Sequence, residues 1–507
     1  MMSRHDEPRA RDKQPLDGFT PSEGFMDSLV LHALDAAQKA GADYADVRLI
    51  EEQYEYIQTK DLLVSGFNKG VSRGAGIRVL KEGGWGFCAT QKLTKLEIEK
   101  AAKRAVELAA ASASCMRSPI SLADEPVYSA VWASPHLIDP FSISTEDKLD
   151  VLMSSARTIL GVKGVTLAQG RLSFVREKKT FASTLGTKLQ QTFVRSGCCI
   201  EAFATNEMER QRRSYPKHVG QFELAGWEMV QGWDLPGNAQ RIAEEAVALL
   251  SAPQCPSGQS DLILGSSQLG LQIHESCGHP SELDRALGQE INFAGASFLT
   301  PDKLNDLKYG APIVNLVADA TAPGALGSFG FDDEGVAAQK VYLVKDGTFK
   351  GYLSSRDTAH LIGLGRSGGS MRAQSWSHAP IIRMTNISLV PGAAGTLDDL
   401  ISDTDNGILM ETNQSWSIDQ MRYNFQFSTE IAWEIKNGKR GRMFKNPSYS
   451  GVTTEFWNSC DAICGADDYV EWGEPNCGKG QPCQTMWTGH GASPARFRGV
   501  QVGTAYS

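Results

Sequence analysis

No run of apolar residues in this sequence approaches the ~18 to 20 needed to cross a bilayer, which excludes an α-helical membrane span. A basic surplus is also lacking: the formal charge is −9, which speaks against nucleic acid or an anionic membrane as partner, since both select clustered Lys and Arg. The first 24 residues contain charge and Pro but no apolar core, so no secretory signal is read there and a disordered tail over 1–24 is expected. The ten cysteines show no regular spacing and no paired C-x-x-C knuckles. That pattern excludes a disulfide framework and points to reduced thiols in the cytoplasm. Short-period repeats are absent as well.

What is present is ordinary globular material. Of 507 residues, 41% are hydrophobic and 21% charged, enough to build full cores in more than one domain. Helix and strand patterns alternate in the first half. Thr20-Pro21-Ser22-Glu23 has the form of a capping box, and Leu29, Val30, Ala33, Leu34 and Ala37 recur behind it at helical spacing. Residues 44–86 predict several strands broken by Gly66, Gly70 and Gly83-Gly84. Further helices are expected at 94–112, 145–160 and 239–250, with a β-meander over 165–230. Ala252-Pro253-Gln254-Cys255-Pro256-Ser257-Gly258 is the best linker in the chain. The expected organisation is therefore an α/β (α+β) protein with an N-terminal α/β domain at 25–252. A sheet-rich C-terminal domain follows at 259–507, with hairpin turns at Asp346-Gly347 and Asn437-Gly438.

Just past the linker, a strand over 261–264 leads into a helix from Ser267 that carries Ile273-His274-Glu275-Ser276-Cys277-Gly278-His279-Pro280. In zincins, two His at i and i+4 share a helix face with a Glu base between them. Here the spacing is i and i+5. At ~100° per residue, a regular helix would turn the two imidazoles about 140° apart. Both reach one ion only if the helix is distorted by a π-type turn or ends at Gly278. Gly278 loosens the backbone, and Pro280 disfavours α geometry at His279. By itself His-Glu-x-x-x-His is met more often by ordinary polar helix residues than by ligands. Glu275 stands where a base belongs, however, and Cys477 sits in a Gly-rich, strand-poor loop, Glu474-Pro475-Asn476-Cys477-Gly478-Lys479-Gly480-Gln481-Pro482.

With these segments the sequence resembles the TldD/PmbA family, specifically its TldD-type zinc metallopeptidase subunit. The resemblance extends to Phe331-Asp332-Asp333-Glu334-Gly335, to Arg383-Met384-Thr385-Asn386 and to residues 427–441. It covers most of the second half; the first half agrees in element order only. It implies His274, His279 and Cys477 as the ligands of one zinc per chain and Glu275 as the base. It also implies a dimer, either of this chain alone or with a PmbA-type partner, acting on unfolded or short peptides. Two imidazoles and one thiolate leave such a site at about +1, as in a His₂Glu peptidase. A substrate strand would pair with an exposed sheet edge through main-chain bonds. The rival reading is a non-catalytic, chaperone-like subunit that holds peptides without cutting them, for which Glu275 has no use.

Weaker signals remain open. His490 either stabilises the oxyanion or is an exposed loop His. Asp332, Asp333 and Glu334 either surround the ligands or form an acidic turn. Lys479 is placed to hold Cys477 deprotonated. Gly363-x-Gly365-x-x-Gly368 matches a dinucleotide fingerprint only formally and reads better as a flexible loop, of the kind that serves as a lid beside a metal cleft. Cys460, Cys464, Cys477 and Cys483 lack the spacing of a structural zinc site. His360 and His378 read as surface or satisfied core residues, and Cys198 and Cys199 as buried strand thiols.

Overall fold

The computed structural model describes residues 23–292 and 295–505; residues 1–22 of the expected tail, with most of the capping box, lie outside them, while Glu23 and Gly24 belong to a helix and not to a tail. The first helix, α1 (Glu23–Lys39), buries Leu29, Val30, Ala33, Leu34 and Ala37, the stripe that the spacing predicts. It is followed by β1 (Tyr44–Lys60), β2 (Leu63–Lys81), β3 (Gly84–Thr90) and α2 (Lys95–Ala113), whose N-cap Thr94 accepts from the Glu97 amide. The glycines at 66 and 70 do not break this region into short strands. Both lie inside β2, opposite the long side chains of β1: a Cβ at Gly70 would stand 2.5 Å from the Tyr54 hydroxyl. The bend comes earlier, at Asp61, which takes a positive φ of 54°.

After β4 (Ser129–Ala133) and α3 (Thr145–Gly161) come two long strands, β5 (Val165–Ser183) and β6 (Lys188–Thr205), then β7 (Arg210–Tyr215) and β8 (Gln221–Glu223). The sheet order is β3-β2-β1-β5-β6-β4, and β7 and β8 also pair with β6. Eighteen residues of β6 thus serve three short partners in succession along one edge. Helices α4 (Trp227–Gly232) and α5 (Leu235–Ser251) complete this half. α1 and α2 share one core with β1 and β2, and α3 and α5 share a second with β5 and β6. Cys198 and Cys199 are buried strand thiols.

The segment 252–257 is tied down: Cys255 is buried in the second-half core and its amide donates to the Lys445 carbonyl at 3.1 Å. Next, β9 (Gly258–Leu264) lies between Asn406–Ile418 and Ala495–Thr504. Pro447–Val452, Asn424–Lys436 and Lys439–Phe444 extend that sheet. Asn406–Ile418 also pairs with Asn424–Lys436, so five strands close into a ring. Both expected tight turns are present, with Asp346, Gly347, Asn437 and Gly438 all at positive φ. A fold mixing helices with a sheet-rich second half is what the patterns predict. Among the described residues, no helix is long and apolar enough to cross a membrane. All ten cysteines are free.

Candidate metal centre

Helix α6 (Ser266–Ile273) leaves the end of β9 and sinks Leu269 and Ile273 into the core, while Leu271 remains partly exposed in a cleft. The helix then widens. His274–Gly278 forms a π turn in which the His279 amide donates to the His274 carbonyl. This is the distortion that the i,i+5 spacing requires. It brings the two imidazoles to a centroid distance of 4.8 Å with their planes 89° apart. His279 itself keeps α geometry, at φ −59° and ψ −45°, despite the proline after it. Gly278 also has an ordinary helical φ. Its missing side chain makes room instead for Met384, whose sulfur would lie 2.3 Å from a Cβ there. Ser276 anchors the widened turn, taking a hydrogen bond from the Trp457 indole at 2.9 Å and another, on its carbonyl, from the Tyr309 hydroxyl at 2.9 Å.

Cys477 is not in a strand-poor loop. It belongs to Val470–Lys479, which pairs with Gln484–Ala492, and the register slips between Glu474 and Cys477. That bulge re-aims the strand where it passes the π turn. The Cys477 sulfur comes 3.7 Å from His279 Nε2, and donor atoms of His274, His279 and Cys477 all lie within 4.8 Å of one another. Each of the three residues is at most 5% exposed. Neither Cys460, Cys464 nor Cys483 joins them. Two imidazoles and a thiolate at this separation fit a tetrahedral transition-metal site with one position left over.

The ring nitrogens facing away from the sulfur are occupied. His279 Nδ1 meets Glu282 Oε2 at 3.0 Å, and His274 Nδ1 meets His490 Nε2 at 2.6 Å. His490 is buried, not an exposed loop residue. Its Nδ1 faces the Ile387 carbonyl at 3.1 Å and so carries the proton, leaving Nε2 to accept from His274. Both of its nitrogens are engaged, which leaves none for an oxyanion. Such outer partners fix the tautomer that presents the other nitrogen to a metal. Glu282 is a residue that sequence reasoning missed, though its position three after His279 was a usable signal.

Charge in the site is concentrated and paired. Burial opposes the Cys477 thiolate, but His274, His279 and Arg383 overcome it and hold the thiol well below its ordinary range. Burial likewise disfavours the charged form of His274, yet the facing sulfur pushes it up to about 9. Lys479 does not face the sulfur. Its Nζ donates to both Asp284 oxygens at 2.7 and 2.8 Å and to the Ile382 carbonyl at 2.7 Å, pinning the strand of Cys477 to the segment after the π turn. Glu275 pairs with Arg422, at the tip between Asn406–Ile418 and Asn424–Lys436. Burial raises its carboxyl, but Arg422, His274 and His279 outweigh that and hold it below the usual range. No sequence signal singled out Arg422.

Asp332 and Asp333 lie elsewhere. Asp332 accepts from the amides of Glu334, Val336 and Met371, organising its own turn. Asp333 takes the Lys179 ammonium at 2.8 Å and the Ala373 amide at 2.7 Å, and Glu334 takes Arg78 at 3.0 Å. The motif thus ties the two halves of the chain together through buried charges and touches no donor of the metal cluster. Residues 363–368 are no lid: Arg366 and Ser367 bond Glu125, away from the cleft. His360 is exposed and His378 half-buried, and neither lines the cleft.

Residues 257–503 match the family model of the PmbA/TldA metallopeptidase C-terminal domain, and residues 45–109 that of PmbA/TldA metallopeptidase domain 1. A metalloprotease of Methanocaldococcus jannaschii is 29% identical over 429 residues, 83% of this chain and 89% of its own. A Haemophilus influenzae protein named metalloprotease TldD homolog is 26% identical over 489 residues, 96% of this chain and 98% of its own. The crystal structure of TldE from Thermococcus kodakarensis has the same fold, with a TM-score of 0.71 at 16% identity over 94% of this chain and 100% of that one. The two models together cover more than half of the sequence, and the chain belongs to the PmbA/TldD family of metallopeptidases.

Proposed function

We propose that this protein hydrolyses peptide bonds in unfolded or short peptides, with one zinc per chain held by His274, His279 and Cys477 and with Glu275 as general base. The observation that carries the reading is the convergence of three buried donors beside an ionised carboxylate. An imidazole–thiolate set suits zinc better than magnesium or calcium, which select oxygen ligands. When bound, zinc polarises the scissile carbonyl and makes an attacking water more acidic. Glu275 accepts that water's proton and delivers it to the leaving amine, which completes the bond cleavage. Arg422 keeps the carboxylate ionised and oriented, while Glu282 and His490 hold the ligand rings in the tautomers the ion needs.

Substrate form follows from access. The donors line a cavity of about 280 Å³ to which both halves of the chain contribute. A folded protein cannot bring its backbone there, whereas an extended chain can, pairing by main-chain bonds with a strand edge. We assign this chain, with its complete donor set, as the catalytic member of a homodimer or of a heterodimer with a PmbA-type subunit. Its reduced thiols fit the cytoplasm.

The test is zinc content together with cleavage of casein and of dye-labelled peptides. One zinc per chain and cleavage lost on chelation support the reading; a metal-free protein that still cuts overturns it. The same assay on one tightly folded substrate and its denatured form should show cutting of the denatured form alone, and equal rates would remove the access argument. Glu282→Gln should lower zinc affinity by about 10- to 100-fold, the usual effect of losing an outer partner. Competition with a chromogenic chelator reads that change directly.

A further inference from the structure

One wall of the cleft comes from the other half of the chain. After β7, residues 216–220 reach across from the N-terminal sheet, and Lys217, His218 and Val219 line the same cavity as the metal donors. The turn is firmly built. The Gly220 amide donates to the Lys217 carbonyl at 2.9 Å, and a Cβ at Gly220 would stand 2.5 Å from the Cys198 carbonyl. Lys217 Nζ bonds Glu474 at 3.0 Å, close to the strand segment that carries Cys477. His218 shares a hydrogen bond with Asn413, which also lines the cleft.

Within this turn Val219 has φ 63°. A β-branched residue in the left-handed region is a true outlier and is strained. Gly would hold the same backbone without strain, so the turn itself does not call for valine. The side chain is half-buried and lines the cavity, where Leu271, Trp416 and Trp472 are the other large apolar residues of a mostly polar lining. Charge on this wall cancels. Lys217 is neutralised by Glu474, and burial, with nearby Arg212 and Arg171, pushes His218 down to about 4, so it is neutral at pH 7.

We propose that Val219 is a specificity-determining residue: it closes an apolar subsite that accepts an aliphatic side chain next to the scissile bond and excludes aromatic ones. The inference rests on the peptidase reading above. The Val219 side chain occupies part of a cavity of about 280 Å³ that must also hold substrate backbone at the donors, so its size limits what fits beside them. A neutral wall gives a charged side chain no partner, and burying it unpaired is costly.

The experiment is a peptide library digested by the zinc-loaded full-length protein and read by mass spectrometry, with kcat/KM then measured for paired peptides differing only as Leu or Phe at the selected position. Wild type should favour Leu. Val219→Gly should shift the Leu/Phe ratio towards Phe by about tenfold or more, in the range that one or two methylenes command in an apolar pocket. Its zinc content should stay at wild-type level and its melting temperature should not fall, since the strain is removed. Val219→Asn, which tolerates the same φ, should cut Leu peptides more slowly and keep its zinc. A ratio unchanged in both variants, or an equal loss for all peptides, overturns the subsite. A wild-type protein that cuts nothing in the library overturns the peptidase reading and the subsite with it.

Discussion

Glu275→Gln should retain about one zinc per chain and lose peptidase activity by about 10² to 10⁴-fold, the range associated with a general acid–base group. The substitution is close to isosteric, so the π turn and the donors around it should hold. It removes the proton acceptor and one charge. Arg422 would then face a neutral amide, which can still take its hydrogen bond, so stability should change little. Zinc content by mass spectrometry and kcat/KM on an unstructured peptide separate the outcomes. Loss of zinc would make Glu275 a ligand. Full activity would remove it from the mechanism altogether.

The same variant decides between enzyme and peptide holder. If the site only bound extended chains, Glu275→Gln would alter binding slightly and there would be no turnover in wild type to lose. With an enzyme, the variant should bind peptide with nearly unchanged affinity while failing to cut it. That asymmetry, binding kept and rate lost, is the signature of a group used in the transition state.

Much of the site was legible because its residues are close in sequence. The i,i+5 spacing of His274 and His279 forces a local argument about helix geometry, and the π turn is its answer. Buried helix faces were equally legible, since α1 and α2 obey a single period. Apart from Glu282, three residues beyond His279, what escaped is long-range. Arg422 reaches Glu275 across 147 residues and His490 reaches His274 across 216, and no spacing rule links such pairs. Gly66 and Gly70 misled for a related reason: they make room for side chains of β1, a need that only strand pairing reveals. The acidic Asp332-Asp333-Glu334 run carries no mark in the sequence of whether it faces a metal or Arg78 and Lys179.

Cys477→Ala should lower zinc affinity by more than about 100-fold, because an outer partner alone is worth 10- to 100-fold and this change removes a ligand. Activity should fall with it. Two other cysteines serve as controls. Cys277 lies inside the motif, but it is buried in the apolar core, where burial pushes its thiol up to about 12. A thiol held protonated is a poor ligand. Cys483 is exposed on the tip beyond Lys479. Cys477 differs from both: two imidazoles and Arg383 favour its thiolate, and the bulge between Glu474 and Cys477 falls where its strand passes them. Cys277→Ala and Cys483→Ala should therefore keep zinc and turnover. Zinc would also tie Val470–Lys479 to the π turn, so Cys477→Ala should lose the rise in melting temperature that zinc gives the wild type. Stoichiometric zinc, normal turnover and an unchanged zinc-induced rise in Cys477→Ala would show that the metal sits elsewhere.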